Sequence, residues 1–325
     1  MHQKAAMRRL SSLLFCALCL LTVGPALAAQ PLLTPAQLQP LLAAGAVRVV
    51  DVREAPAYAL QHLPGAVSAP YGLWRGPAEN PGMTPALPAL TALVQQLGLT
   101  PQTHAVIVYT GTDSTDFGSA ARVYWTLKSL GLQQLSILNG GLSAWKAAGL
   151  PVSDQAAAAQ PSHWQPRFST QWLSTRESLA SRLGNGKLRL IDARPAVYFD
   201  GRNVHEAARA RGTLPGAHNL DSDFFFEPGS SALMSQADLQ SEADSIDTSG
   251  GDTVSFCNTG HWAATDWFVL SEVLGQPNVR LYAGSIVDWT QAPQALPMQG
   301  EAGRWEQLRQ QVLGWSHRNL GTRAP

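Results

Sequence analysis

Two halves of this chain run through the same order of signals, and that duplication limits the fold more tightly than any single segment. In the first half the β-branched run Val47-Arg48-Val49-Val50-Asp51-Val52-Arg53 ends in Asp-x-Arg and is followed by Leu63-Pro64-Gly65-Ala66-Val67. In the second, Leu188-Arg189-Leu190-Ile191-Asp192-Ala193-Arg194 is followed by Leu214-Pro215-Gly216-Ala217-His218. The order continues in step. An apolar strand at Ala105 to Tyr109 answers one at Thr253 to Phe256, and each passes through a polar loop into a helical pattern, about Ser119 to Leu130 and about Trp262 to Leu274. Both halves then show a third short strand and a Gly/Ser turn, Leu135-Ser136-Ile137-Leu138-Asn139-Gly140-Gly141 against Val279-Arg280-Leu281-Tyr282-Ala283-Gly284-Ser285, with Trp145 and Trp289 at matching positions. Short apolar strands alternating with helical stretches predict parallel strands with helices on both faces. The chain is therefore read as α/β, with one small domain at residues 31–150 and a second at 169–300.

Residues 151–168 join them. This stretch holds Ala156-Ala157-Ala158-Ala159, Pro161 and Pro166 without regular periodicity, and reads as a linker. Residues 301–325 are read as a C-terminal helix and tail, since Trp305, Leu308, Val312 and Trp315 fall at helical spacing. At the other end, residues 1–28 have the form of a signal peptide: His2, Lys4, Arg8 and Arg9, an apolar run from Leu10 to Val23, then Ala26-Leu27-Ala28 before Ala29. That run is too short for a membrane span, and Cys16 and Cys19 lack the preceding small residue that an acylation site needs. The expected location is outside the cytoplasm, in a bacterial periplasm, with no membrane anchor. Removing Lys4, Arg8 and Arg9 leaves 20 basic against 23 acidic side chains, a formal charge of minus three. No basic field remains to attract nucleic acid or anionic lipid.

Export would leave Cys257 as the sole thiol, unable to form an intramolecular disulfide. It directly follows a strand and opens the segment Cys257-Asn258-Thr259-Gly260-His261-Trp262-Ala263. In open α/β sheets the carboxyl ends of the strands are where ligands bind, so the strand delivers the sulfur to the functional edge. Backbone N–H groups of a loop curling toward a helix favour negative charge, which would raise the thiolate fraction and bind an anionic substrate. Gly260 permits the tight loop, and His261 is a candidate cationic partner.

These features together resemble the tandem-domain rhodanese sulfurtransferases. The resemblance spans nearly all of the chain after the leader. It is carried by Asp51-Val52-Arg53 and Asp192-Ala193-Arg194, Pro64-Gly65-Ala66 and Pro215-Gly216-Ala217, Cys257-x-x-Gly260-x-x-Ala263, and Gly284-Ser285 before Trp289. It implies two rhodanese-like domains and an enzyme that moves a sulfane sulfur from thiosulfate or 3-mercaptopyruvate, through a Cys257 persulfide, to cyanide or a thiol. It implies a small anionic donor and no cofactor, and it identifies no protein acceptor. It also implies a catalytically silent first domain, in agreement with the loop Thr110-Gly111-Thr112-Asp113-Ser114-Thr115-Asp116-Phe117-Gly118. There Thr110 stands in place of the cysteine, a hydroxyl without a base is a poor nucleophile, and two carboxylates repel an anion.

Cys257 is thus the expected nucleophile, with Asn258, Thr259, Gly260, His261, Trp262 and Ala263 as the substrate-binding loop. Asp192 and Arg194 are expected to pair with each other or with loop backbone and hold the cleft wall. Many members of the family carry a further basic residue after this motif, but Pro195-Ala196-Val197-Tyr198 has none, which makes Arg202 the nearest replacement. Trp262 is read as a pocket wall, Trp267 as core, and Phe224-Phe225-Phe226 as packing between domains, with a lip over the cleft as the alternative. A cysteine phosphatase would need an arginine six positions after the cysteine, where Ala263 stands. A non-catalytic sulfur carrier or a thiol redox sensor is the alternative from another class. His62, His104, His163, His205, His218, His261 and His317 show no paired metal spacing, Gly184-Asn185-Gly186 lacks the third glycine of a dinucleotide loop, and no Gly-x-Ser-x-Gly elbow occurs.

Overall fold

Every strand pair among the described residues is parallel, and these strands fall into two separate sheets. The computed structural model describes residues 29–184, 186–246 and 251–300; the expected leader at 1–28 and the expected helix and tail at 301–325 lie outside the described residues. In the first sheet β1 (Leu32–Leu33), β2 (Arg48–Asp51), β3 (Val67–Ser68), β4 (His104–Val108) and β5 (Gln134–Leu138) run in the order β1-β5-β4-β2-β3. In the second, β6 (Leu188–Asp192), β7 (Ala217–Asn219), β8 (Asp252–Phe256) and β9 (Val279–Leu281) run in the order β7-β6-β8-β9. Without β1 the two orders coincide, so the duplicated signals fold into duplicated topology. The counterpart of β1 persists as one bridging residue, Leu173, paired to Leu281 of β9.

Parallel strands need crossovers, and helices supply most of them. The first unit contains α1 (Pro35–Ala43), α2 (Ala55–Leu60), α3 (Leu87–Gln96), α4 (Ser114–Leu130) and α5 (Gly141–Ala147). The second contains α6 (Arg176–Ala180), α7 (Ala196–Phe199), α8 (Gln236–Ala243), α9 (Trp262–Trp267) and α10 (Ser285–Thr290). A π-helical stretch, Phe268–Val273, carries α9 onward to the expected end near Leu274. Helix α4 starts earlier than the expected Ser119, because the Asp113 carboxylate accepts the Asp116 N–H at 2.9 Å and caps it. A residue read only as a repelling charge is thus also a helix start.

Helix α4 lies at the centre of the molecule. From Phe117 to Leu127 every one of its residues is buried, as expected of a helix with no water-facing side. Its partner is α9, and one apolar cluster runs without a break from the first sheet through both helices to the second sheet. Phe117 meets Phe226 and Phe268 edge-on at 5.5 and 5.6 Å, and Tyr124 meets Phe268 at 5.0 Å. Polar contacts close the rim: Tyr124 Oη and Lys128 Nζ both donate to Glu272, and Tyr109 Oη donates to the Ser231 carbonyl. Within the triple phenylalanine, Phe225 and Phe226 are buried while Phe224 is exposed. Trp267 is core, and Trp145 and Trp289 each pin a following segment through Nε1, to Pro151 O and Pro297 O.

The stretch 151–168 has no helix or strand and runs along the first unit. Ser153 bridges to His62, Ser162 bonds to Gln95 and Leu99, and Gln95 reaches the Trp164 carbonyl.

The approach of α4 to the second unit is closest at Gly118, where a Cβ would lie 2.8 Å from His261 Nε2 and 2.9 Å from His261 O. Alanine is the better helix former by about 1 kcal/mol, so on local grounds Gly118→Ala would stabilise. The clash should reverse that sign. We expect a net loss of roughly 1–3 kcal/mol in urea unfolding; an unchanged or raised midpoint would show that the two units yield freely here.

Candidate active site

Strand β8 lies inside its sheet, between β6 and β9, and Cys257 is the next residue after it. Both backbone groups of Cys257 are fixed. Its N–H donates to Ser285 Oγ at 3.0 Å, and its carbonyl accepts from the Ile286 N–H at 3.0 Å. The Asn258 carbonyl likewise accepts from Val287. The start of α10 therefore anchors the start of the loop. Ser285 does this from the left-handed region, with φ 56°, where the first unit places Gly141 at φ 59°. A serine there is strained, but only a hydroxyl both accepts from Cys257 and donates to the Tyr282 carbonyl, at 2.8 Å.

Beyond the sulfur the chain curls into a cradle. Gly260 has φ 67°, and a Cβ on it would strike the Ala283 carbonyl and the Arg122 guanidinium. Among the described residues, none accepts a hydrogen bond from the N–H groups of Asn258, Thr259, Gly260, His261, Trp262 or Ala263. Buried backbone donors are almost always paired, so a run of six free ones marks a place for an anion. The equivalent loop of the first unit is closed from within. There the Asp116 carboxylate accepts from the Gly111 N–H at 2.7 Å, the Thr112 N–H at 3.3 Å and Thr112 Oγ1 at 3.2 Å. One copy of the cradle holds its own carboxylate, and the other follows a buried thiol and holds none.

Asp192 and Arg194 form a buried bidentate pair, Nε to Oδ1 at 2.8 Å and Nη2 to Oδ2 at 2.6 Å. Arg194 Nη2 also donates to the Gly212 carbonyl, and Nη1 reaches Asn258 Oδ1 at 3.2 Å. Asp51 and Arg53 repeat the pair in the first unit, with Gln61 O in place of Gly212 O. Arg194 thus braces the loop through Asn258, with its charge already matched. Arg202 is half-exposed and bonded to Asp200 at 2.7 Å, and no contact joins it to the loop. Trp262 stands against the Tyr198 ring, 6.1 Å between centroids, and its Nε1 reaches Thr115 Oγ1 of the first unit.

The expected cationic His261 is corrected. Its Nε2 lies 2.7 Å from the Thr115 carbonyl and its Nδ1 3.0 Å from Tyr71 Oη. A neutral ring satisfies both neighbours: Nε2–H donates to the carbonyl, and Nδ1 accepts from a hydroxyl that itself accepts from Arg75 Nη1 at 2.6 Å. Burial, reinforced by the charges of Arg75 and Arg122, lowers its pKa to about 4. The imidazole is neutral. Charge near the cradle comes from the first unit instead. Arg122 is wholly buried with no carboxylate partner, donating to Gly82 O at 2.9 Å and Gly260 O at 3.3 Å, with Nε unpartnered. Burial lowers its pKa to about 10, which leaves it charged at neutral pH. Sequence reasoning missed Tyr71, Arg75 and Arg122, which stand outside every chemical motif in the chain. No group of three His, Cys, Asp or Glu among the described residues is placed to hold a metal.

Asp266 was also missed. It is fully buried on α9, and neither carboxylate oxygen has a partner. Burial, with the charges of Asp221, Cys257 and Asp192, raises its pKa well above the carboxylate range. The unfolded chain would ionise near the ordinary value, so this group costs stability as pH rises from there toward the folded pKa. Asp266→Asn removes that cost. In urea unfolding at pH 5, 6.5 and 8 the variant should gain on the parent as pH rises, by up to about 1.4 kcal/mol per unit; a gap that stays constant would mean that Asp266 is ionised in the native state.

Comparison with known proteins agrees with this geometry. The family model described as a rhodanese-like domain matches twice, at residues 34–148 and 175–292. The thiosulfate sulfurtransferase of Azotobacter vinelandii is 32% identical, over 80% of this chain and 93% of its own length. A probable 3-mercaptopyruvate sulfurtransferase of Pseudomonas aeruginosa is 32% identical, over 81% of this chain and 95% of its own. The crystal structure of SseA from Escherichia coli superposes with a TM-score of 0.70 at 23% identity, covering 79% of this chain and 99% of that one. With two copies of the domain, each built on the same parallel sheet, the chain belongs to the rhodanese family.

Proposed function

We propose that this sulfurtransferase holds its cargo as a persulfide on Cys257, taking a sulfane sulfur from thiosulfate or 3-mercaptopyruvate and giving it to cyanide or a thiol. The contrast between the two loops carries the reading: the cradle of the second unit presents six unbonded amides round a thiol, while the first unit fills the same cradle with Asp116. The curated relatives are named for those two donors. In the first half-reaction the Cys257 thiolate attacks the outer sulfur of thiosulfate. The donor S–S bond breaks, sulfite leaves with the electron pair, and Cys257 keeps the transferred sulfur. With 3-mercaptopyruvate the C–S bond breaks and pyruvate leaves as its enolate. In the second half-reaction the acceptor attacks the terminal sulfur and restores the thiolate. The cradle amides stabilise negative charge on the sulfurs as it develops.

The redox-sensing alternative fits less well. Oxidant-sensing thiols are accessible to solvent, and Cys257 is 1% exposed, at the base of its loop. A narrow entry suits a persulfide, which water and stray thiols would otherwise discharge. Trp262 and Tyr198 pack together beside that loop. We place the enzyme outside the cytoplasm, on the reading of residues 1–28 as a signal peptide.

Intact mass spectrometry after incubation with thiosulfate should show one added sulfur that cyanide removes. Cys257→Ser should show none, and an adduct on that variant would refute the assigned nucleophile. Initial rates with both substrates varied should give parallel lines, and intersecting lines would exclude the double displacement.

A further inference from the structure

A donor that arrives as an anion needs a cation to select it, and four arginines of the second unit, Arg176, Arg194, Arg202 and Arg211, are already engaged. Arg194 is spent on Asp192, Arg202 on Asp200 and Arg176 on Asp288. Arg211 points its Nη1 at the carbonyls of Gly201 and Arg202. The first unit supplies two cations, and they differ in freedom. Arg122 is locked between Gly82 O and Gly260 O, one carbonyl from each unit, and serves to hold the interface.

Arg75 is free to bind. It is partly buried, has no carboxylate partner, and spends only Nη1, on Tyr71 Oη. Its Nε and Nη2 have no acceptor among the described residues. Its charge is felt on the second unit at both His261 and His205. His205 uses Nδ1 to accept from the Ala207 N–H at 3.2 Å, which puts its own proton on Nε2. Two hydrogen bonds, Arg75 to Tyr71 and Tyr71 to His261, tie this guanidinium to the loop that carries the sulfur.

The duplication shows that this is a departure from the shared plan. Leu63-Pro64-Gly65-Ala66-Val67 matches Leu214-Pro215-Gly216-Ala217-His218, and the 3-10 turn Tyr71–Trp74 matches Ser222–Phe225. In that register Tyr71 corresponds to Ser222 and Arg75 to Phe226. Phe226 packs on Phe117 at the front of α4. At the related place the first unit spends an aromatic hydroxyl and a guanidinium on the front of α9.

We infer that Arg75 is the donor-binding cation of this enzyme, its free Nε and Nη2 receiving the oxygens of thiosulfate while Tyr71 and neutral His261 fix its position over the cradle. The inference deepens the sulfurtransferase reading and rests on it for the identity of the ligand. A planar fork with two free donors suits a tetrahedral oxyanion.

Binding separates this inference from catalysis. In a Cys257→Ser background, which cannot turn thiosulfate over, titration calorimetry with sodium thiosulfate should give saturable binding that weakens as sodium chloride is added. Arg75→Gln in that background should weaken binding about tenfold or more and flatten the salt dependence. Arg75→Lys keeps the charge without the fork and should fall between the two; it carries the test alone if the glutamine variant does not fold. Arg202→Gln should bind as its parent does. Unchanged binding in both Arg75 variants, a loss in Arg202→Gln, or no binding by the Cys257→Ser parent would each overturn the inference. If the Arg75 effect appears while native enzyme takes no sulfur onto Cys257, the anion site stands and the sulfurtransferase reading falls.

Discussion

Helix α4 has no face to give to water, and its burial against α9 is the contact on which the site depends. A fully buried aromatic side chain is worth about 1.5–3 kcal/mol, and Phe117, Trp125 and Tyr124 all bury on this one helix. The apolar cluster they join is common to both sheets, so neither unit has a complete core of its own on that side. This fixes the first unit against the active loop to within hydrogen-bonding distance. The Thr115 carbonyl meets His261 there, and Gly118 leaves the space in which it does so.

Given that docking, the two copies have divided the work at equivalent positions. Both keep the Asp-x-Arg brace, the backbone carbonyl that completes it and the tryptophan that closes the fold. They differ at the strand end. One has Thr110 and a loop in which Asp116 takes the Gly111 and Thr112 N–H groups, and the other has Cys257 and a loop whose N–H groups have no acceptor among the described residues. The first unit adds to the site from outside its own cradle, through Tyr71, Arg75 and Arg122. The copy without the cysteine therefore still touches the loop that follows Cys257.

The sequence made the fold legible because the signals were local and doubled. Val49-Val50-Asp51 and Leu190-Ile191-Asp192 are short runs whose strand character comes from adjacent residues, and the repeat confirms each by the other. The position of Cys257 was legible for the same reason, since the strand and the glycine that shape its surroundings are within a few residues of it. What was not legible depends on distance along the chain. His261 looks like a cation in isolation, and only Tyr71 and Thr115, far away in sequence, make it a neutral relay. Arg75 sits in a stretch with no motif, and its role rests on the side chains that do not pair with it. Asp113 was recognised as an acid but missed as a helix cap, because its partner is the backbone of Asp116.

Unsatisfied polar groups occur in several parts of the described protein, at Ser129, Ser174 and Gln276 among others, and some of them stand at the site. An unpaired buried donor costs about 1–3 kcal/mol. At the site they are the loop amides from Asn258 to Ala263, Arg122 Nε on α4 and the Asp266 carboxyl on α9. Ser285 adds a strained backbone in the same place. These costs are borne by the shared core of α4 and α9, which lies directly behind the loop. An anion in the cradle would satisfy such donors and remove part of the cost, so the feature that costs stability would also contribute affinity for an anion. The first loop shows the other outcome in part: the Asp116 carboxylate occupies the Gly111 and Thr112 N–H groups and the Thr112 hydroxyl from within.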